Sequence, residues 1–153
     1  MEVAFTDEQD DPLPSDWLVD LAAVAMRAES LPETTELAVT LIDGARMAGL
    51  NGEHMGKTGP TDVLSFPIED FTDGVPLRGD DGPPLLLGDI FICPAVVRAN
   101  AAGAGVPFED EMALMVVHGI LHLLGRDHVI EEEAEAMEQR EREILALVGR
   151  TRQ

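Results

Sequence analysis

With 153 residues the chain has room for one domain and a sizeable core that needs no staples. Ten Lys and Arg stand against 30 Asp and Glu, and the formal net charge of −20 excludes general capture of nucleic acid by a basic surface, leaving only local capture. The lone Cys93 excludes an internal disulfide, the apolar run from Met112 to Leu124 is too short for a ~20-residue membrane span, and MEVAFTDEQD lacks the basic and apolar regions of a signal peptide, which together predict a soluble protein of the reducing cytoplasm with no membrane partner.

Val3-Ala4-Phe5 alternates and stops at TDEQDDP, as a short strand does before a polar turn. Ser15 and Asp16 offer an N-cap for a helix whose Trp17, Leu18, Leu21, Val24 and Ala25 recur at helical spacing up to the Leu31-Pro32 break. Glu36 to Ile42 reads as a strand from its β-branched content and ends at Asp43-Gly44, after which Ala45 to Leu50 forms a short helical stretch. Asp62 to Pro67 alternates and halts at proline, which suits a strand at a sheet edge, with Leu85 to Cys93 as its neighbour. Between those two lies FTDGVPLRGDDGPP, long for a tight hairpin, which reads as a surface loop with room to move. It is not a domain linker, because too little chain lies on either side for two cores.

Pro94 to Ala104 is a helix by its apolar Ala95, Val96, Val97, Ala99 and Ala102, and Gly103-Ala104-Gly105 ends it. The next helix opens with Glu109, Asp110 and Glu111, acids that favour the positive end of the macrodipole, and runs through Met112 to about Leu124 before Gly125. Glu131 to Val148 is amphipathic, with Ala134, Met137, Ile144, Leu145 and Val148 on one face and Glu138 four residues before Arg142. The chain therefore reads as a single α+β domain over residues 1–153.

His118 and His122 stand four apart on that helix, so their side chains share one face about 6 Å apart at Cβ, close enough to share a metal. Gly125 can take a left-handed conformation that turns the chain and brings His128 back to the same point. Three neutral imidazoles leave a tetrahedral zinc with one open position, the arrangement of catalytic rather than structural sites. A structural site needs a fourth protein ligand, for which Cys93 and Asp127 are candidates, though neither spacing argues for it. Imidazole also accepts nickel, copper or iron, which leaves the metal loaded open. His54, the fourth histidine, stands alone and reads as an ordinary loop residue, with a place near the site as the alternative.

The spacing His-x3-His-x5-His, with glycine three residues after the second histidine, is also that of metzincin proteases. Those enzymes place a glutamate directly after the first histidine as general base. Here that position is Gly119, so the peptidase mechanism has no proton acceptor.

The segment HGILHLLGRDH at 118 to 128 fits a signature of the type HGxLHLxGxDH, and LNGEHMGKTGPTDVLSFP at 50 to 67 and LLGDIFICP at 86 to 94 stand in matching order and separation. On these three motifs the chain resembles the YbeY family, bacterial zinc-dependent single-strand endoribonucleases implicated in rRNA maturation and ribosome quality control. The resemblance implies one zinc ion on His118, His122 and His128, and a mixed sheet packed with helices around a central zinc-binding helix. It further implies an RNA substrate, rRNA rather than DNA, and ribosomal proteins or the ribosome as partners. One position departs: where the family commonly carries an arginine implicated in catalysis, this chain has Met55. Lys57 is the nearest cation and can contact phosphate as a point charge without arginine's fork, though it reads equally as a solvated loop lysine. Arg78 and Arg126 are weaker candidates.

Metal-assisted phosphodiester cleavage does not need the missing glutamate. Zinc can polarise a phosphoryl oxygen and acidify a water toward a pKa of ~7, while a nearby cation steadies the added negative charge. Activation of the ribose 2′-hydroxyl is an alternative route, and the sequence leaves both open. Asp127, beside His128, is a candidate to orient an imidazole and equally an exposed surface acid. Thr61, Asp62 and Ser65 are expected in the cleft on the resemblance alone. The acidity has a bland reading in solubility or a salty host, yet it strains RNA binding, because counterion release needs a basic patch. A protein partner would relieve that strain. A second expectation, from a different class, is therefore a ribosome-associated assembly factor with little intrinsic nuclease activity, and a third is a zinc hydrolase of small substrates.

Overall fold

Period-two and helical apolar patterns become a mixed sheet with helices packed on it in the computed structural model, which describes residues 1–71, 74–75 and 82–152. In chain order the elements are β1 (Glu2–Asp7), α1 (Asp16–Ala28), β2 (Thr35–Leu41), α2 (Gly44–Met55), β3 (Val63–Pro67), β4 (Leu85–Ile92), α3 (Pro94–Ala104), α4 (Phe108–Leu123) and α5 (Glu131–Leu147). The strands lie in the order β1-β2-β4-β3. β1 pairs parallel with β2 from Glu2↔Glu36 to Asp7↔Leu41, and β2 pairs parallel with β4. β3 runs antiparallel to β4, from Val63↔Ile92 to Pro67↔Gly88, and Pro67, which cannot donate to a ladder, sits on the sheet edge.

Leu37, Val39 and Leu41 alternate into the core from β2, joined by Leu85, Leu87, Ile90 and Ile92 of β4. Over them lies α4, in contact with α1, α3, α5, β3 and β4. Its buried residues, among them Ala113, Val116, Val117, Ile120 and Leu121, leave little of its circumference polar, the mark of a core helix. Each large side chain buried here contributes about 1.5–3 kcal/mol. Gly119 lets this helix approach the sheet: a Cβ built on it would stand 2.9 Å from Cδ1 of Ile90. The residue that removed the protease base thus has a packing reason of its own.

A smaller cluster of Ile42, Met47, Leu64 and Cys93 packs with Leu50, Phe66, Phe91 and Val96 and seats α2 on the β3–β4 part of the sheet. Cys93 is therefore an apolar-packed thiol at the start of α3, and it is not part of the histidine group. α2 runs five residues past the expected Leu50, so His54 belongs to its last turn and not to a loop. Burial of Met47 and Asn51, four apart on one face, carries the helix across Gly49 and Gly52 against their weak propensity. Ser15 occupies the N-cap position of α1, but its carbonyl, not its side chain, accepts the amides of Leu18 and Val19. Most of the 71–84 loop, Arg78 included, lies outside the described residues. Among the described residues no helix is long and apolar enough to cross a membrane.

Candidate metal centre

α4 stops in a way that returns the chain on itself. Gly125 has φ +90°, its amide donates to the His122 carbonyl at 2.9 Å, and the Arg126 amide donates to the Leu121 carbonyl at 3.0 Å. This is a Schellman ending, and only a residue without a Cβ enters it freely. The reversal carries His128 back over the last turn of α4, where His118 and His122 stand one turn apart.

The three imidazoles converge. Among the described residues they form the group able to hold a metal ion, with one nitrogen from each ring all within 4.8 Å of one another. Ring centroids are 4.5 Å apart for His118 and His122, 5.1 Å for His122 and His128, and 5.6 Å for His118 and His128. The planes meet at steep angles, so the rings fan about a common point and do not stack. Burial lowers the pKa of His122 below its ordinary value, and the charges of His118 and His128 push the same way; Asp127 and a backbone hydrogen bond with Arg126 oppose them. A neutral ring presents a lone pair, which is what a divalent ion needs. The donor set fits a single cation with an open face.

One carboxylate orients the group, and sequence reasoning missed it. Glu141 of α5 has a side chain only 1% exposed, and its Oε2 lies 2.7 Å from Nδ1 of His118. That contact engages Nδ1 and leaves Nε2 for the cleft, the arrangement by which carboxylates fix metal-binding imidazoles. Burial alone would raise the pKa of Glu141, but the hydrogen bond and charge of His118, together with Arg152, hold it below the usual carboxylate value. The signal was present: Glu141 falls four residues after Met137 and four before Leu145, a gap in the apolar face of α5 filled by an acid.

Asp127 behaves differently. Its Oδ1 accepts the backbone amide of His128 at 2.7 Å and lies 3.6 Å from Nδ1 of that ring, beyond hydrogen-bond range. It shapes the turn and lines the cleft. Arg126 points toward Glu29, 3.9 Å away, and is not among the residues of the cleft wall. His54 packs edge-on against Phe66, with centroids 5.1 Å apart.

The imidazoles open into a cleft of about 570 Å³ whose other wall is built by the end of α2, the following segment and β3. Lys57, Thr61, Asp62 and Ser65 line it, as do Met55 and Val129, which are 50% and 80% exposed. Ser65 Oγ donates to the Gly119 carbonyl at 3.3 Å, linking the strand to α4. Among the described lining residues Lys57 is the one Lys or Arg, and Asp62 and Asp127 line the same cleft.

The chain is similar to known proteins over most of its length. The sequence model of the family described as Endoribonuclease YbeY matches residues 4–149. An endoribonuclease YbeY of Methylococcus capsulatus is 47% identical over 132 residues, covering 85% of this chain and 83% of the relative. That of Micrococcus luteus is 41% identical over 137 residues, covering 90% and 85%, and that of Geobacillus thermodenitrificans 38% identical over 155, covering 99% of each. The solution structure of a Thermotoga maritima protein superposes with a TM-score of 0.60 at 25% identity, covering 95% of this chain and 91% of that one.

Proposed function

Because the chain belongs to the YbeY endoribonuclease family, and is a nuclease of the hydrolase class, we propose that it cuts single-stranded RNA at a zinc ion held by His118, His122 and His128. The observation that carries this reading is the convergence of those three rings at the wall of an open cleft. When bound, such an ion supplies Lewis acidity to a phosphoryl oxygen and acidity to a water. The chain's own part is positional. Glu141 fixes the His118 ring, the half-buried setting of His122 favours its neutral form, and the Gly125 turn delivers His128. Lys57 brings a positive charge to the cleft, where it can steady a phosphate that gains charge as its bond breaks. We assign rRNA as the substrate, in ribosome maturation and quality control, on the strength of the three motifs. The −20 net charge supports a basic ribosomal protein as the partner that brings RNA to the cleft, and the single buried Cys93 supports a reducing cytoplasm.

The same acidity favours a second reading, an assembly factor with little cleavage of its own. A labelled single-stranded RNA incubated with wild type, chelator-treated protein and His118→Ala separates the two. Cleavage confined to untreated wild type is expected. Cleavage that survives both treatments overturns the metal-nuclease reading, and zinc binding without cleavage favours the assembly factor.

A further inference from the structure

Beyond α5 the chain makes another Schellman turn: Gly149 has φ +72°, its amide reaches the Ala146 carbonyl at 3.1 Å, and the Arg150 amide reaches that of Leu145 at 2.9 Å. Arg150 then pins the segment at two points, donating to Asp110 Oδ1 at 2.9 Å and covering the Trp17 ring at 4.5 Å. The turn and these anchors deliver Arg152 to the back of the metal centre. Its Nε donates to Oε1 of Glu141 at 2.9 Å, while Oε2 of the same carboxylate holds His118.

We propose that Arg152 is a positioning residue of the metal centre, acting through Glu141 on His118. The carboxylate is buried and has a strong partner on each oxygen, so it cannot rotate without giving up one of them. Remove the guanidinium and Oε1 is left buried without that donor. The carboxylate then gains freedom to turn from the imidazole, and His118 loses the contact that aims Nε2 at the cleft. The carboxylate next to a metal-binding imidazole is itself oriented by a residue of the segment that follows α5, which is not among the residues of the cleft wall.

This inference rests on the metal-centre reading, so its test reads metal affinity and not cleavage. Zinc dissociation constants of the full chain are measured by competition with a chromophoric chelator for wild type, Arg152→Ala, Arg152→Gln, Arg152→Lys and Arg142→Ala. The last removes the same charge from the exposed side of α5, where Arg142 faces Glu138 at 3.8 Å. Loss of an orienting partner typically weakens metal affinity 10- to 100-fold; the expectation here is about 10-fold for Arg152→Ala and Arg152→Gln. Arg152→Lys should recover part of it, and Arg142→Ala should stay within about twofold of wild type. The His118 ring 15N shifts of the metal-free protein should move with Arg152→Ala and not with Arg142→Ala. If wild type binds no zinc, the metal-centre reading falls and this inference with it. If wild type binds zinc and the Ala and Gln variants match it, or Arg142→Ala weakens it equally, only the role of Arg152 is overturned. Should Arg152→Ala fail to fold, the Gln and Lys variants decide.

Discussion

Asn51 donates from Nδ2 to the Gly59 carbonyl at 2.9 Å, and its own backbone carbonyl accepts the Lys57 amide at 3.3 Å. At 4% exposure it clips the segment after α2 at two points, and that segment carries Lys57, Thr61 and Asp62 to the cleft. Asn51→Ala should cost about 1–2 kcal/mol in denaturant unfolding, the size of a buried hydrogen bond left unmade. Its kinetic signature should be a several-fold higher KM for RNA with zinc affinity held within about twofold, because the clip touches the substrate wall and not the imidazoles. An unchanged KM would mean that the segment holds its place without Asn51.

Gly119 makes a different kind of contact. A methyl group there would enter the space of Ile90, with Cδ1 at 2.9 Å and Cγ2 at 3.1 Å. Overpacking typically costs about 1–3 kcal/mol, against a helix-propensity gain of about 1 kcal/mol for alanine. Gly119→Ala should therefore lower the melting temperature slightly, and in an Ile90→Ala background the same change should become neutral or stabilising. A destabilisation that persists in that background would contradict the contact. Gly119→Glu should unsettle the helix–sheet packing and confer no peptidase activity.

Glu111 lies seven residues before His118 on α4, and burial raises its pKa above 4.5, the Asp62 charge adding to the effect and Arg152 opposing it. A carboxyl raised in the fold costs stability wherever both states are ionised. The cost is present in full above the folded pKa and fades as pH falls toward the unfolded value. Glu111→Gln should accordingly raise the melting temperature at pH 7, by no more than ~1 kcal/mol in stability because the group is only partly buried, and the gain should vanish near pH 4. Thermal unfolding of both proteins across that range checks the sign.

Met55 stands half-exposed on the cleft wall, where Lys57 is the cation among the described lining residues. Met55→Arg adds a guanidinium without displacing a buried group. RNA affinity at low salt should rise about 3- to 10-fold, and the log–log salt slope should steepen by about 0.7, the increment for one added phosphate contact on a single strand. Binding titrations at several salt concentrations read both quantities. Lys57→Ala should shift them in the opposite direction.

The histidine triad was legible because its geometry is local: one helical turn, one glycine and a short return determine where three rings meet. Strands and helices were likewise placed by periodicity, including β3 at the sheet edge beside β4. What escaped depends on packing between distant segments. Glu141 looked like one acid among many on α5, and only the seating of that helix on α4 makes it a buried partner of His118. Arg126 sits inside the motif, yet it turns toward Glu29, because the Schellman ending fixes its direction. The length of α2 followed from burial of Met47 and Asn51, which outweighs two glycines that local propensity counts against a helix.

The most direct test of the central claim is a zinc titration of metal-free protein with bound metal and cleavage of single-stranded RNA followed in the same samples. Activity should appear with the first equivalent and level off at one zinc per chain, and His118→Ala, His122→Ala and His128→Ala should each lower both readouts by at least about 100-fold, the upper end of what losing even an indirect metal partner costs. Full cleavage by the metal-free protein, or zinc binding that survives all three substitutions, would contradict it.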